Sequence, residues 1–293
     1  MKRCQTLLFV ILLCCVYVIG CNERQQMVET AVESLVEEEI LVEVSLIPDA
    51  NLAAAVRETL GLTAEAPLTA EVLQTLKTLS AQDRQILDLT GLEYATNLTA
   101  LNLSNSSDSD VPNQISDVSP LANLTNLTVL GLSTNQISDV SLLANLTNLT
   151  SLNLSRNQLS DVSPLENLTN LRRLELIENR LSSVSPLENL TNLTSLYLND
   201  NQLLDVSPLA NLTNLTGLFL IDNWLSDVSP LENLTNLTSL YLWNNHISDI
   251  SPLVTNTGLG TGDTVGLQDN PLDDAAINTH IPLLQERGVT VNF

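Results

Sequence analysis

The sequence has few of the side chains that usually carry chemistry. Its four cysteines all lie within the first 21 residues, at Cys4, Cys14, Cys15 and Cys21. No disulfide or cysteine metal site is therefore expected beyond that segment. The two histidines, His246 and His280, are not accompanied by a metal-ligand cluster, a phosphate-binding glycine loop or a nucleophile motif. We therefore expect a protein that is not an enzyme and uses no cofactor and no metal.

Positive charge and aromatic side chains are also scarce. Eleven Lys and Arg residues stand against 34 Asp and Glu residues, which gives a formal charge of −23 at pH 7. Such a surface repels nucleic acid and anionic lipid headgroups, so we expect no nucleic-acid partner. Aromatic residues make up only 3% of the chain, and their positions are therefore informative.

What the sequence does contain is a repeat of 22 residues. The repeats begin at Leu127, Leu149, Leu171, Leu193, Leu215 and Leu237. Each has Leu at the third and fifth positions after its start, and Asn at the eighth: Asn135, Asn157, Asn179, Asn201, Asn223 and Asn245. A fixed period of this length is typical of a solenoid. Leucines two residues apart share one face of a strand, so each repeat predicts one short parallel strand.

The remainder of each repeat predicts a turn on the outer face. A segment such as Val162-Ser163-Pro164-Leu165 is too short for an α-helix and favours a 3₁₀ turn, with Ser163 as its cap and Pro164 at its first position. The aspartate that precedes most of these segments, such as Asp161, is interpreted as a turn and capping residue. The buried Asn is expected to bond backbone groups of its own and the adjacent repeat.

The spacing L-x-x-L-x-L-x-x-N-x-L, followed by Ser-Asp-Val-Ser-Pro-Leu, resembles the leucine-rich repeat of bacterial internalin-type proteins. The resemblance implies an α/β fold: a curved solenoid with a parallel β-sheet on the concave face, short 3₁₀ turns on the convex face and a helical N-terminal cap. Residues 47–75 are predicted to form that cap, 76–270 the repeats and 271–293 a C-terminal cap. In the N-terminal cap we expect one helix between Asp49 and Gly61, and a second after Thr69.

The amino terminus is similar to a lipoprotein signal peptide. Lys2 and Arg3 precede an apolar run, and Val18-Ile19-Gly20-Cys21 resembles the lipobox. This implies removal of residues 1–20, acylation of Cys21, and anchoring to the membrane of the bacterial cell envelope, facing the periplasm or the exterior. Residues 21–46 are then an acidic tether, in which a short amphipathic, partner-binding helix is the alternative. An uncleaved membrane anchor is the alternative to the signal peptide.

The second, fourth and sixth positions after each leading leucine are predicted to form the concave surface. They are small and polar in the early repeats and larger in the later ones. The candidate ligand-binding residues are Tyr197, Phe219, Ile221, Tyr241 and Trp243, with Trp224 at the rim. Aromatic side chains on an exposed surface are typical of protein-binding hot spots. We therefore expect a non-enzymatic protein-binding module; a carbohydrate-binding role, with glycan rings stacked on the aromatics, or an envelope-spacer role is the alternative.

An insertion between Leu103 and Asn113 interrupts the early repeats. It contains Asp108 and Asp110, which are two residues apart as in many calcium-binding loops, but the other ligands of such a loop are missing. A mobile loop is the first interpretation and a calcium site the alternative.

Overall fold

A computed structural model of the protein describes residues 45–293, which form one compact unit. Within these residues ten parallel strands make one open sheet, and neighbours along the chain are neighbours in the sheet. This confirms the predicted leucine-rich repeat solenoid. The strands are β1 (Thr78–Ser80), β2 (Ala100–Asn102), β3 (Val129–Gly131), β4 (Ser151–Asn153), β5 (Arg173–Glu175), β6 (Ser195–Tyr197), β7 (Gly217–Phe219), β8 (Ser239–Tyr241), β9 (Thr264–Gly266) and β10 (Thr290–Asn292).

Equivalent residues of successive repeats lie opposite each other in this sheet. Leu174 in β5 pairs with Leu196 in β6, and Leu196 pairs with Leu218 in β7. All three side chains are fully buried. Because side chains alternate across a strand, the residues on either side of each leucine point outward. The 22-residue period therefore becomes a continuous column of leucines inside and a parallel column of variable residues outside.

The turns opposite the strands are 3₁₀ helices, as predicted. They span Leu92–Tyr94, Ser119–Leu121, Ser141–Leu143, Ser163–Leu165, Ser185–Leu187, Ser207–Leu209 and Ser229–Leu231. The predicted cap was wrong, however, because Ser163 is the first residue of its turn. The carboxylate of Asp161 accepts from the Ser163 backbone N–H at 2.8 Å and from its hydroxyl. These two bonds lower the pKa of Asp161.

The buried asparagines hold the repeats together as expected. The Asn157 Oδ1 atom accepts from the Ile137 N–H at 3.0 Å. Its Nδ2 atom donates to the carbonyls of Leu132 and Leu154, each at 3.0 Å, and of Ser155 at 3.2 Å. One amide therefore bonds two adjacent repeats, which satisfies a polar group inside an aliphatic core.

Two helices precede the first strand: α1 (Ala50–Leu60) and α2 (Ala70–Gln74). Asp49 begins α1, where its Oδ1 atom accepts from two backbone N–H groups at 2.9 Å. Its Oδ2 atom accepts from the N–H groups of Leu87, at 2.9 Å, and Asp88, at 3.3 Å. A single carboxylate thus caps the helix and ties it to the first repeat. Gly61, with φ of 66°, ends α1 in the left-handed conformation that suits glycine.

The insertion after Leu103 leaves the repeat pattern intact. Asn113 occupies the buried asparagine position and accepts from the Ile86 N–H at 2.9 Å. Asn105, also buried, donates to the Asn113 carbonyl at 2.9 Å and fixes the start of the loop. In the part of the chain that the structure describes, no three His, Cys, Asp or Glu residues are grouped as metal ligands.

The carboxyl end adds helices and a last strand. Helix α3 (Ser251–Thr255) replaces the 3₁₀ turn of its repeat, and a π-helix at Ala276–His280 continues into α4 (Ile281–Glu286). The π-helix and α4 lie within residues 271–293, which were predicted as the C-terminal cap. Strand β10 pairs with β9 and so extends the sheet. None of the helices within residues 45–293 has the length and apolar character needed to span a bilayer. The predicted signal peptide, Cys21 and nearly all of the predicted tether lie outside the described residues.

Candidate functional site

Three aromatic rings stack on the outward face of the sheet. Tyr197, Phe219 and Tyr241 end strands β6, β7 and β8 and lie directly opposite one another. The ring centroids of Tyr197 and Phe219 are 4.3 Å apart with 6° between the planes. Those of Phe219 and Tyr241 are 5.2 Å apart at 12°. These distances follow the spacing of neighbouring strands, about 4.8 Å. We call these three residues the aromatic stack.

Trp243 closes the aromatic stack at its carboxyl-terminal end. Its ring meets that of Tyr241 edge to face, with centroids 5.5 Å apart and 83° between planes. The next strand offers Gly266 opposite Tyr241. A Cβ atom at Gly266 would lie 1.9 Å from the Trp243 Nε1 atom, so only glycine leaves room for the indole. Trp243 therefore fills the place where another side chain of the column would stand.

Arg173 closes the other end. Its guanidinium carbon lies 4.5 Å from the centroid of the Tyr197 ring, and its Nη1 atom donates to the Tyr197 hydroxyl at 2.9 Å. Its Nε atom pairs with the Glu175 carboxylate at 2.7 Å. Both faces of every ring in the aromatic stack are thus covered, by Arg173, by one another or by Trp243. The ring edges and the tyrosine hydroxyls are what remains for a ligand.

A row of carboxylates runs parallel to the aromatic stack, three residues beyond the last residue of β5, β6 and β7. We call Glu178, Asp200 and Asp222 the acidic row. All three have positive φ, between 51° and 55°. Arg156 pairs with Glu178 at 2.8 Å, and the Asn244 amide donates to Asp222. Partial desolvation by the surrounding residues, followed by repulsion from Asp222 and Glu178, raises the pKa of Asp200, although the residue is exposed. Among the described residues, the Asp200 carboxylate accepts no hydrogen bond and forms no ion pair, and the nearby positive charge of Arg156 only partly offsets the rise in its pKa.

The other two predicted site residues take different places. Ile221 is half-buried and occupies the same column as Trp243, one repeat earlier. Trp224 does not join the aromatic stack: it follows the buried Asn223 and lines a shallow depression with Leu204, Ser226 and His246. Trp224 therefore lies on the flank of the solenoid, beside the concave face, for which the sequence predicted a position at the rim.

Three residues of these surfaces were missed from the sequence. Leu204, 62% exposed on the flank, stands where the neighbouring repeats have Ser182 and Ser226, and that departure was the available signal. Arg173 and Asp200 carried no such signal. Their contribution depends on contacts between repeats that only the structure shows.

A stacked parallel sheet, a leucine column and a bonded asparagine column define the class of the leucine-rich repeat proteins. The family model of leucine-rich repeats in two copies matches residues 110–145, 125–167, 147–179, 169–211 and 213–255. Such repeats are protein-binding scaffolds.

Two solved structures narrow the class. Internalin C2 from Listeria monocytogenes is 38% identical with a TM-score of 0.71, and the match covers 78% of this chain and 99% of that one. Internalin InlF from the same organism is 35% identical with a TM-score of 0.68, covering 84% and 76%. The chain therefore belongs to the internalin-type leucine-rich repeat proteins.

A more distant match is a plant peptide hormone receptor, RGFR1, solved in complex with RGF2. It is 26% identical with a TM-score of 0.57, and the match covers 70% of this chain and 34% of the receptor. No curated protein sequence matches the chain.

Proposed function

We propose that the protein is a non-enzymatic binding module, anchored by lipid at the bacterial cell envelope, that binds a protein ligand around the aromatic stack. The observation that carries the proposal is the stack itself. Four aromatic side chains, with Trp243 included, are held in fixed positions on an outward sheet face before any ligand arrives. Ordered aromatic side chains lose little conformational freedom on binding and are the usual anchors of protein interfaces.

The covered ring faces favour a protein over a glycan. A sugar stacks against the free face of an aromatic ring, whereas Arg173 and the neighbouring rings occupy the faces here. The ring edges carry partial positive charge and suit backbone carbonyls and apolar side chains. That the similar plant receptor is solved with a peptide hormone supports the same class of partner.

The lipid anchor and the location are supported by sequence alone. Val18-Ile19-Gly20-Cys21 supplies a lipobox-like site, and Cys21 is the only cysteine that remains after removal of residues 1–20. Two acyl chains, as in bacterial lipoproteins, are enough for stable membrane anchoring. In this arrangement residues 21–46 hold the repeats away from the membrane surface.

The double substitution Tyr241→Ala with Trp243→Ala tests the binding site. A protein partner is first isolated by pull-down with the mature chain, and its affinity for the variant is then measured by calorimetry. We expect a loss of about thirtyfold or more, because truncating aromatic anchors at an interface centre costs about 2 kcal/mol or more. Tyr197→Ala, at the opposite end of the aromatic stack, provides a second variant in case the first is unstable.

Ser133→Ala is the matched control, since Ser133 lies on the same face among small residues. Ser155 is less suitable, because it is buried and its hydroxyl accepts from the Ile177 N–H at 3.2 Å. Thermal melts accompany each variant. Unchanged affinity in a folded double variant would move the binding site off the aromatic stack, and a Trp224→Ala variant would then test the flank.

A further inference from the structure

The part of the chain between Arg180 and Arg287 carries formal charge of one sign, whereas Arg173 lies against Tyr197 at the amino-terminal end of the aromatic stack. From Leu181 to Glu286 the sequence has twelve Asp or Glu residues and no Lys or Arg. Tyr197, Phe219, Tyr241 and Trp243 all lie in that stretch. A surface of one sign slows the approach of like-charged partners and speeds that of oppositely charged ones, by one to three orders of magnitude. This negative charge, which includes outer-face residues such as Glu188, therefore disfavours acidic ligands over the whole of this part of the solenoid.

Among the described residues, Asp200 is the member of the acidic row whose carboxylate has no hydrogen bond and no ion pair. Glu178 is paired with Arg156, and Asp222 accepts from the Asn244 amide. The backbone pairing between repeats continues past the strands to this point, since the Asp200 N–H donates to the Ile221 carbonyl at 2.9 Å. The Asp200 carboxylate is therefore held in register with the residues of the aromatic stack. A cation beside it would relieve the repulsion between Asp200 and its two acidic neighbours.

Arg173 shows how a cation fits this face. Its guanidinium lies over the Tyr197 ring and at the same time pairs with a carboxylate, that of Glu175. Arg favours such arrangements because its planar group contacts rings and forms directed hydrogen bonds to carboxylates. From Leu181 onward the chain has rings and carboxylates side by side but supplies no Lys or Arg until Arg287.

We propose that the ligand of the aromatic stack is a basic protein segment, whose Arg or Lys pairs with Asp200 while adjacent apolar side chains pack against the edges of Phe219 and Tyr241. This rests on the proposed protein-binding function and adds the chemistry of the partner. Charge complementarity identifies this class of ligand. The aromatic side chains determine where the segment binds, and the surrounding carboxylates determine that its charge is positive.

The probe is a display library of random peptides of about nine residues, selected on the full chain at about 0.05 M salt. We expect the selected peptides to combine apolar residues with a net positive charge that includes Arg or Lys. Their affinity should fall as salt rises to about 0.3 M, because screening weakens exposed charge pairs. Asp200→Asn should weaken binding about tenfold, the usual size of one charge-assisted hydrogen bond.

Glu188→Gln removes the same charge from the outer face, directly after the turn Ser185–Leu187, and should leave affinity within about twofold. Neutral or acidic peptides whose binding still needs Tyr241 and Trp243 would overturn this inference while leaving the proposed function standing. Peptides insensitive to Asp200→Asn and to the aromatic substitutions would overturn both. Equal losses of affinity in the Asp200 and Glu188 variants would show that the acidic surface as a whole attracts the peptide, which would overturn the specific pair with Asp200. A selection that yields no binding peptides would also count against the basic ligand.

Discussion

Replacing Asn223 with alanine tests how adjacent repeats are held together. Asn223 is 2% exposed. Its Oδ1 atom accepts from the Leu203 N–H at 3.1 Å. Its Nδ2 atom donates to the carbonyls of Leu198 at 3.0 Å, Leu220 at 3.2 Å and Ile221 at 3.1 Å. The substitution removes all four bonds at once.

The cost is smaller than four lost bonds suggest, because the carbonyls are shared. The Leu198 carbonyl also accepts from Asn201, and the Leu220 carbonyl also accepts from Asn245. Only the Leu203 N–H is left without any acceptor, and a buried orphaned donor costs about 1–3 kcal/mol. Adding the weaker net loss at the shared carbonyls, we expect Asn223→Ala to lower the free energy of unfolding by about 2–4 kcal/mol.

Urea denaturation followed by circular dichroism measures this loss, with Asn214→Ala as the matched control. The Asn214 amide also donates to the preceding repeat, to the Thr191 carbonyl at 2.8 Å, but the side chain is exposed. Water replaces that bond, so the control should lose less than about 1 kcal/mol. Equal losses in the two variants would refute the view that burial makes the inner asparagine column important.

Asn223→Asp separates the acceptor role of this side chain from its donor role. The substituted carboxylate still accepts from the Leu203 N–H but cannot donate while it is ionised, and it places a charge in the core. We expect it to destabilise more at about pH 7 than at about pH 4, where a buried carboxyl of raised pKa is protonated. A pH-independent loss would mean that water reaches the site.

Three further predictions concern the core, the turns and the amino terminus. In a denaturant melt, Leu196→Ala should lower the free energy of unfolding by about 2–5 kcal/mol, because Leu196 is fully buried, and Ser195→Ala by less than about 0.5 kcal/mol, because Ser195 faces outward. Similar losses in the two variants would mean that the assignment of inward and outward residues is wrong by one position. Bonds from the Ser207 N–H and hydroxyl lower the pKa of Asp205, so the stability that its carboxylate contributes should be present above the ordinary Asp pKa of about 3.9 and lost as pH falls through the lower folded value. The free energy of unfolding of Asp205→Asn should therefore be lower than that of the natural chain at about pH 6 and equal to it at about pH 2. A difference that is the same at both pH values would contradict the charge effect. Labelled palmitate should enter the natural protein but not Cys21→Ala, and equal labelling would end the lipoprotein proposal.

Much of the fold could be predicted because its determinants repeat. Each strand is specified by leucines two residues apart. A repeat whose boundaries are ambiguous in the sequence is placed by the repeats before and after it, because the period is constant. The asparagine column was predictable for the same reason, since a buried amide must find partners. Helix α1 followed from local signals, Asp49 and Gly61, that act within a few residues.

The parts that were not predicted depend on contacts between repeats or on small energetic preferences. The depression that Trp224 forms with Leu204 depends on how the chain turns after Asn223, which the strand alternation does not describe. The roles of Gly266 and Arg173 appear only when an adjacent strand brings Trp243 or Tyr197 against them. Ser163 and Asp161 compete for the same capping role, and a carboxylate two residues ahead of the N–H is the stronger acceptor.

The direct register of β6, β7 and β8 makes the aromatic stack a modular feature whose length is counted in repeats. Each ring belongs to one 22-residue unit and contacts only the units beside it. Duplication or loss of a whole unit would lengthen or shorten the row of rings by about 4.8 Å and leave the leucine and asparagine columns continuous. A binding surface of this kind can change its reach during evolution without redesign of the core.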